Sequence, residues 1–230
     1  MYSSNIQMLE TVAEGLRDLL PDVIFVGGAV AELYADNPEL SDIRPTIDVD
    51  VVIKLKSQVD HYKLEEKLRD LGFKNDIRTG APIIRWVYNG VTVDIMPDDI
   101  NVLGFANQWH KKGMEEKIMK TLPNGKEIFL LSPVYYLASK MEALKDRGRS
   151  DLRQSHDFED IIYLLDNHSE IIEQMKNASD DLKEYLAGSF YGLMSDRNIK
   201  EAVESALPYG TGEEHTNKIM NIMQQIVAVK

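Results

Sequence analysis

The hydrophobic positions of this chain change period several times, and each change predicts an element. Met8, Val12, Leu16, Leu19 and Leu20 recur at helical spacing, which predicts an amphipathic helix over residues 5–20. "DVIFV" reads as a short buried strand that runs into Gly27-Gly28 and the helix-forming stretch "AVAELYA". After a loop ending at Pro45, residues 46–54 alternate. Ile47, Val49, Val51 and Ile53 fall on one face, while Thr46, Asp48, Asp50 and Val52 fall on the other. Leu64, Leu68 and Leu71 mark another helix, closed by Gly72. "PIIRWVYNGVTVDIMP" predicts a hairpin with a type I′ turn at Asn89-Gly90. Pairing outward from that turn sets Arg85 opposite Asp94, with Thr92 on the Asp94 face.

Beyond about residue 100 the pattern becomes helical, apart from a small hairpin at "LPNGKEIFLL", turning at Asn124-Gly125. Ser132 followed by Pro133 predicts a helix start. That helix carries Leu137, Lys140, Met141, Leu144 and Arg147 before Gly148, and "SHDFEDIIYLL" opens the next. The rest is helical, with breaks near Leu207-Pro208 and Gly210–Gly212. No internal repeat or low-complexity tract interrupts it. The expected organisation is an α/β half over residues 1–100 and a mainly helical half over 101–230.

Composition narrows the chemistry. With 43% hydrophobic and 28% charged residues the balance is that of a globular protein. No apolar run reaches bilayer-spanning length, so no membrane partner is expected. The N-terminal stretch "MYSSNIQMLETVAEGL" lacks a signal-peptide pattern. The chain has no cysteine, which excludes disulfides, thiolate metal sites and a Cys nucleophile and fits a reducing cytoplasm. A formal charge of −12 excludes nucleic-acid binding by bulk electrostatics. "NQWHKKGMEEK" and "KDRGRSDLR" are the notable basic stretches. In the first, Trp109 beside His110, Lys111 and Lys112 offers a base-stacking platform, or else a solvated loop with one anchoring aromatic. The five histidines show no metal-ligand spacing.

Asp48 and Asp50 pose the central question, since they interrupt an apolar strand. At i and i+2 they stand on one face, roughly 6.6 Å apart along the chain. Carboxylates so placed can converge on divalent ions, and an all-oxygen set suits Mg²⁺ in a two-metal phosphoryl-transfer site. Asp94, in a similar alternating strand, is the natural third ligand. Plainer readings stand beside this one: the acids form the solvent face of an edge strand, and Asp94 pairs with Arg85 across the hairpin. The Gly27-Gly28 junction adds a place where backbone can approach a phosphate.

In that order, "VGGAVAELY", "RPTIDVDVVI" and "VTVDIMP" resemble the DNA polymerase β-type nucleotidyltransferase fold. "YYLASKMEALKDRGRSDLRQSHDFEDIIYLL" resembles the later motifs of the AbiEii-like nucleotidyltransferases, a group that includes toxin components of toxin–antitoxin and phage-abortive systems. The motif positions here are Lys140, Arg147, Asp157 and Asp160, and the similarity runs from about residue 23 to 166. Nineteen residues lie between Gly28 and Asp48, a longer loop than many of these transferases carry.

The resemblance implies an α+β fold, a mixed sheet flanked by helices, with a helical C-terminal domain that completes the cleft. It implies transfer of an NMP group from an NTP to a hydroxyl acceptor. Asp48 and Asp50 would hold Mg²⁺, with Asp94 completing a second metal site and helping to deprotonate the acceptor. Gly27, Gly28 and Thr46 would contact phosphate, Lys140 would counter triphosphate charge, and Lys140 and Asp157 would join the three acids as catalytic residues. The implied acceptor is the tRNA 3′ end, with an antitoxin protein as partner. Alternatives are an aminoglycoside-type small molecule or a protein as acceptor, or a nucleotide-binding module without turnover.

Overall fold

The computed structural model describes residues 3–147 and 151–229. Gly148, expected to close the helix that begins at Pro133, lies outside them, as do Arg149 and Ser150 of the second basic stretch. The chain divides into two compact units, one of Met1–Val30 with Arg44–Ser132 and one of Ala31–Ile43 with Pro133–Lys230. The boundary drawn near residue 100 therefore moves to Ser132. The reason is physical: the hairpin "LPNGKEIFLL" is stitched to the sheet instead of standing with the helices.

The first unit begins with α1 (Ser4–Leu16), whose start is fixed by Ser3 Oγ accepting from Ile6 N at 3.1 Å. The predicted helix to residue 20 tightens after Leu16 into a 3₁₀ turn, Arg17–Asp22, which contains Pro21. The sheet comprises β1 (Val23–Val26), β2 (Asp48–Ile53), β3 (Lys74–Asn75), β4 (Arg85–Tyr88), β5 (Val91–Pro97), β6 (Ile118–Thr121) and β7 (Glu127–Leu130). Helix α2 (Gln58–Asp70) separates β2 from β3, and the short α3 (Ile100–Leu103) and α4 (His110–Glu115) follow β5. The strand order is β3-β4-β5-β2-β1-β7-β6. Pairs β2–β5 and β1–β7 are parallel and the other four antiparallel, so the sheet is mixed. At the predicted turn, Asn89 and Gly90 both have positive φ (46° and 83°), the type I′ requirement, and Arg85 pairs with Asp94 as expected.

Two observations define the faces of this sheet. A Cβ on Gly15 of α1 would meet the Tyr88 ring at 2.6 Å, so α1 lies tight against the Tyr88 face. By alternation Trp86 shares that face, and its neighbours across the strands, Val93 and Val49, are fully buried with Val51 and Ile95. The opposite face carries Arg85, Asp94, Thr92, Asp48 and Asp50, and beyond them the buried Val52. Ile47 departs from the predicted apolar face: it precedes β2 and is 86% exposed. The entry into β2 is fixed by the buried Asn5 of α1. Its Nδ2 donates to Arg44 O at 3.1 Å and its Oδ1 accepts from Thr46 N at 3.0 Å.

The second unit is helical: α5 (Pro133–Asp146), α6 (His156–Asn167), α7 (Ile171–Lys176), α8 (Asp180–Met194), α9 (Ile199–Ala206) and α10 (Gly212–Ala228). Ser155 Oγ accepts from Phe158 N at 3.3 Å and starts α6, whose inner side buries Phe158, Ile161, Ile162, Leu164 and Leu165. The α9–α10 break falls at the predicted Leu207–Gly212 stretch. Residues 31–43 join this unit. The Tyr34 and Tyr136 rings lie 4.6 Å apart, His168 Nδ1 donates to Tyr34 O at 2.9 Å, and Ser41 Oγ lies 2.6 Å from Tyr163 Oη. The fold class is α+β, as expected. Among the described residues no helix is long and apolar enough to cross a membrane.

His110, at the start of α4, is buried, and burial pushes its imidazole pKa down to about 4 from 6.5. Above pH 6.5 this costs nothing, since the ring is neutral whether the chain is folded or not. Between 6.5 and 4 the unfolded chain binds a proton that the folded chain refuses, so stability falls with pH by about 3 kcal/mol. Urea unfolding midpoints measured from pH 7 to 4 should drop, and His110→Gln should flatten that slope. An identical slope in the variant would show that His110 does not carry it.

Candidate functional site

The three carboxylates expected to meet stand on the same face of the sheet, the one opposite α1, with Asp94 buried and Asp48 and Asp50 half-buried. Asp50 is the register partner of Asp94 across β2–β5, and Asp94 that of Arg85 across β4–β5. On its other side Asp50 pairs with Val26, the residue before Gly27. A single row therefore crosses four strands: Arg85, Asp94, Asp50, Val26. Asp48 sits two positions back on β2, opposite Thr92. Neighbouring strands are about 4.8 Å apart, so Asp50 and Asp94 are adjacent like charges, an arrangement that is unfavourable by itself.

Arg85 supplies the compensating charge. Its Nε donates to Asp94 Oδ1 at 2.8 Å and its Nη2 to Asp94 Oδ2 at 2.7 Å, a two-pronged pair, while Nη2 also reaches Asp48 Oδ2 at 3.4 Å. These hydrogen bonds to Asp94, aided by the charges of Asp94, Asp48 and Asp76, hold the guanidinium pKa above its ordinary value although burial opposes them. The plainer reading of Asp94, a pair with Arg85, thus holds together with the convergence of the acids. Thr46 donates its hydroxyl to Asp48 Oδ1 at 3.2 Å, so the group expected to meet phosphate here orients a carboxylate.

Gly27 is required by contact as well as conformation. Its φ is +76°, and a Cβ built on it would lie 1.9 Å from Asp50 Oδ2. Only a residue without a side chain lets the Asp50 carboxylate occupy that space. Gly28 opens a 3₁₀ helix, Gly28–Tyr34, where an α-helix was expected. With tighter geometry and poorer hydrogen bonds, such a turn offers a weaker anion site than a full α-helical N-terminus.

The donor chemistry of this face, carboxylate oxygen throughout, is that of a hard divalent cation. Its arrangement is not. Both Asp94 oxygens are taken by Arg85, and among the described residues no group of three or more His, Cys, Asp or Glu is disposed to hold a metal ion. As arranged, Asp48, Asp50 and Asp94 do not fit the Mg²⁺ site that the resemblance implies.

The motif residues of the second unit also meet, in a network within that unit. Lys140 on α5 is only 7% exposed, and its Nζ lies 2.6 Å from Asp160 Oδ2 and 3.4 Å from Asp157 Oδ1. Asp157 and Asp160 are one turn apart on α6 and both buried. Arg147 Nη1, on a largely exposed side chain, binds Asp157 Oδ2 at 2.7 Å. Two anions and two cations therefore balance, and the lysine assigned to a triphosphate is ion-paired here to aspartates of its own unit.

The Trp109 platform is not present. The indole is 5% exposed, and Lys111 is paired with Asp99 at 2.8 Å, so this stretch is a solvated face with a buried aromatic anchor. Two contributors escaped the sequence reading. Asn5 holds the approach to the acidic strand. Its signal was a polar residue in helical phase with Leu9 and Val12. The reach of Arg85 to Asp48 as well as Asp94 left no signal, since β2 and β5 pair over a long stretch of chain.

No protein-family model matches the chain, and no curated protein matches it. Among solved structures, the crystal structure of JHP933 from Helicobacter pylori matches with a TM-score of 0.49 and 12% identity, over 99% of this chain and 94% of that one.

Two outcomes follow from this geometry. Gly27→Ala should destabilise the protein by about 1–3 kcal/mol, from the positive φ and the displaced carboxylate. The loss should be smaller in an Asp50→Ala background, and equal losses in both would disprove the contact. Lys140→Met should cost about 3–5 kcal/mol because it takes the lysine from buried Asp160 and leaves Asp157 with Arg147 alone. Arg147→Met should cost less, about 1–2 kcal/mol, because the arginine is largely exposed and Lys140 still stands beside the buried Asp157. Chemical denaturation distinguishes the two, and similar losses would rule out a buried-charge account of Lys140.

Proposed function

We propose that the protein is a nucleotidyltransferase that moves an NMP group from an NTP to a hydroxyl acceptor. One observation carries the reading: three carboxylates from two adjacent parallel strands share one sheet face beside a glycine that leaves room for one of them. The order of these residues along the chain, a glycine turn, an Asp-x-Asp strand and a third Asp, supports it further. In this reaction the acceptor oxygen forms a bond to the α-phosphorus, the bond from that phosphorus to the bridging oxygen breaks, and pyrophosphate leaves. The hydroxyl proton passes to a carboxylate of the acidic face. The apolar packing under the sheet holds these carboxylates in place, so that positioning is supplied before the substrates arrive. The reading calls for Mg²⁺ as cofactor, whereas the acids as described hold Arg85 in its stead.

The acceptor is proposed to be the tRNA 3′ end, which would make the protein a growth-inhibiting toxin with an antitoxin partner, acting in a reducing cytoplasm. A cationic small molecule is the second reading. It is favoured by the net charge of −12 and by the burial of Trp109, which removes the base-stacking surface expected for RNA.

Incubation with each α-labelled NTP, Mg²⁺ and either tRNA or an aminoglycoside-type acceptor should place label on one of them. Asp48→Asn and Asp50→Asn should lower transfer by about 100-fold or more with circular dichroism unchanged, the scale of losing a group that stabilises transition-state charge. Transfer at the unaltered rate by Asp48→Asn would overturn the assignment. NTP binding without transfer to either acceptor would instead support the nucleotide-binding module.

A further inference from the structure

We propose that the helical unit carries a binding groove for an aliphatic oligoamine, a molecule whose ammonium groups are joined by methylene chains. The groove lies wholly within the second unit and is independent of the transfer reading. It consists of two adjoining hollows, of about 440 and 360 Å³, which share Leu40, Asp166, Asn167 and Lys218. Each is large enough for a small molecule. The excursion of residues 31–43 forms one wall and is pinned on both sides of Leu40. Asp36 N donates to Asn167 O at 2.9 Å and Asp36 Oδ2 accepts from Ser169 N at 2.9 Å, while Ser41 Oγ lies 2.6 Å from Tyr163 Oη. Between these anchors Leu40 stands 83% exposed. The first hollow is walled further by the buried Leu165 and Ile171 and the half-buried Ile172 and Ile222. Methylene groups laid against Leu40 and this wall leave water, which favours binding.

Charge selects the sign of the ligand. From Ala35 to Ile43 the chain carries Asp36, Glu39 and Asp42 and no basic residue. Asp36, its side chain 40% exposed, lines the first hollow, and the exposed Asp42 lines the second. Asp166, common to both, is already held by His215 Nε2 and, at 3.5 Å, by Lys218 Nζ. The lining therefore sets three carboxylates against one lysine, with one carboxylate in each hollow beyond the part they share. His168, also on the wall of the first hollow, adds to this. Its Nδ1 donates to Tyr34 O, so the lone pair of the neutral ring is on Nε2, which is buried and has no hydrogen-bond partner among the described residues. An anion is repelled by such a lining, and a compact cation would meet the acids but leave Leu40 in water. One ammonium beside Asp36, another beside Asp42 and methylenes across Leu40 answer all three features with one molecule.

The test needs neither NTP nor acceptor, so its failure is separate from failure of the transfer reading. Spermine, spermidine and putrescine are titrated into the full chain by isothermal calorimetry, and affinity should fall in that order. Hexaamminecobalt(III) has the charge of spermidine without its methylene chain, and it should bind about tenfold more weakly than spermidine. Asp42→Asn and Leu40→Ser, both at exposed positions, should each weaken spermine binding about fivefold. Asp180→Asn removes an exposed charge of the same unit outside the groove and should leave the affinity within about twofold. Equal binding of spermidine and the cobalt complex, or equal losses in Asp180→Asn and Asp42→Asn, would mean that amines merely gather around a chain of charge −12, and would overturn the site. Absence of binding at about 1 mM spermine would end the proposal as well.

Discussion

Asp50 and Asp94 stand side by side on parallel strands, and two carboxylates so placed repel unless something positive is at hand. Most of the local architecture of the first unit can be understood as what allows that pair to persist. Arg85 closes one end of the row, and Gly27, lacking a Cβ, opens space at the other. Beneath them, Val49, Val51, Val93, Ile95 and Trp86 bury the opposite face, which fixes the register. A slip of one residue in β5 would turn Asp94 under α1 and bring Val93 to the acidic side. Apolar packing on one side therefore enforces electrostatic crowding on the other.

The second unit solves a related problem by burial. Lys140 sits between two aspartates one helical turn apart, and Arg147 binds the outer of them from the surface. Desolvating three charges is tolerable only because each has an opposite partner within hydrogen-bonding range. The two clusters differ in how open they are. The Arg85 side chain is about one quarter exposed while Lys140 is enclosed, so substitution of Lys140 acts first on folding and only through folding on anything else.

What the sequence made legible was local. Asn89-Gly90 dictates a left-handed two-residue turn, and from that turn the pairing of Arg85 with Asp94 follows by counting. Alternation in β2 put both acids on one face. The parallel pairing of β2 with β5 joins strands separated by a helix and two further strands, and no short-range preference encodes it. Convergence of the acids was therefore an inference from chemistry. The same limit explains the misplaced boundary: nothing local in "LPNGKEIFLL" says that its strands extend a sheet begun one hundred residues earlier. Trp109 failed for a different reason. A tryptophan among lysines has the same local pattern whether it faces water or anchors the loop, and only tertiary packing decides.

The adoption of residues 31–43 by the helical unit has a bearing on how the chain can be dissected. The polypeptide leaves the sheet unit after Val30, returns at Arg44 and departs again after Ser132. A fragment ended at Ser132 would keep a thirteen-residue excursion stripped of the tyrosine and histidine partners that order it. The complementary fragment from Pro133 would expose the Tyr136 ring and the Tyr163 hydroxyl that the excursion covers. Neither half is a clean module, because thirteen residues of the helical unit lie, along the chain, inside the span of the sheet unit.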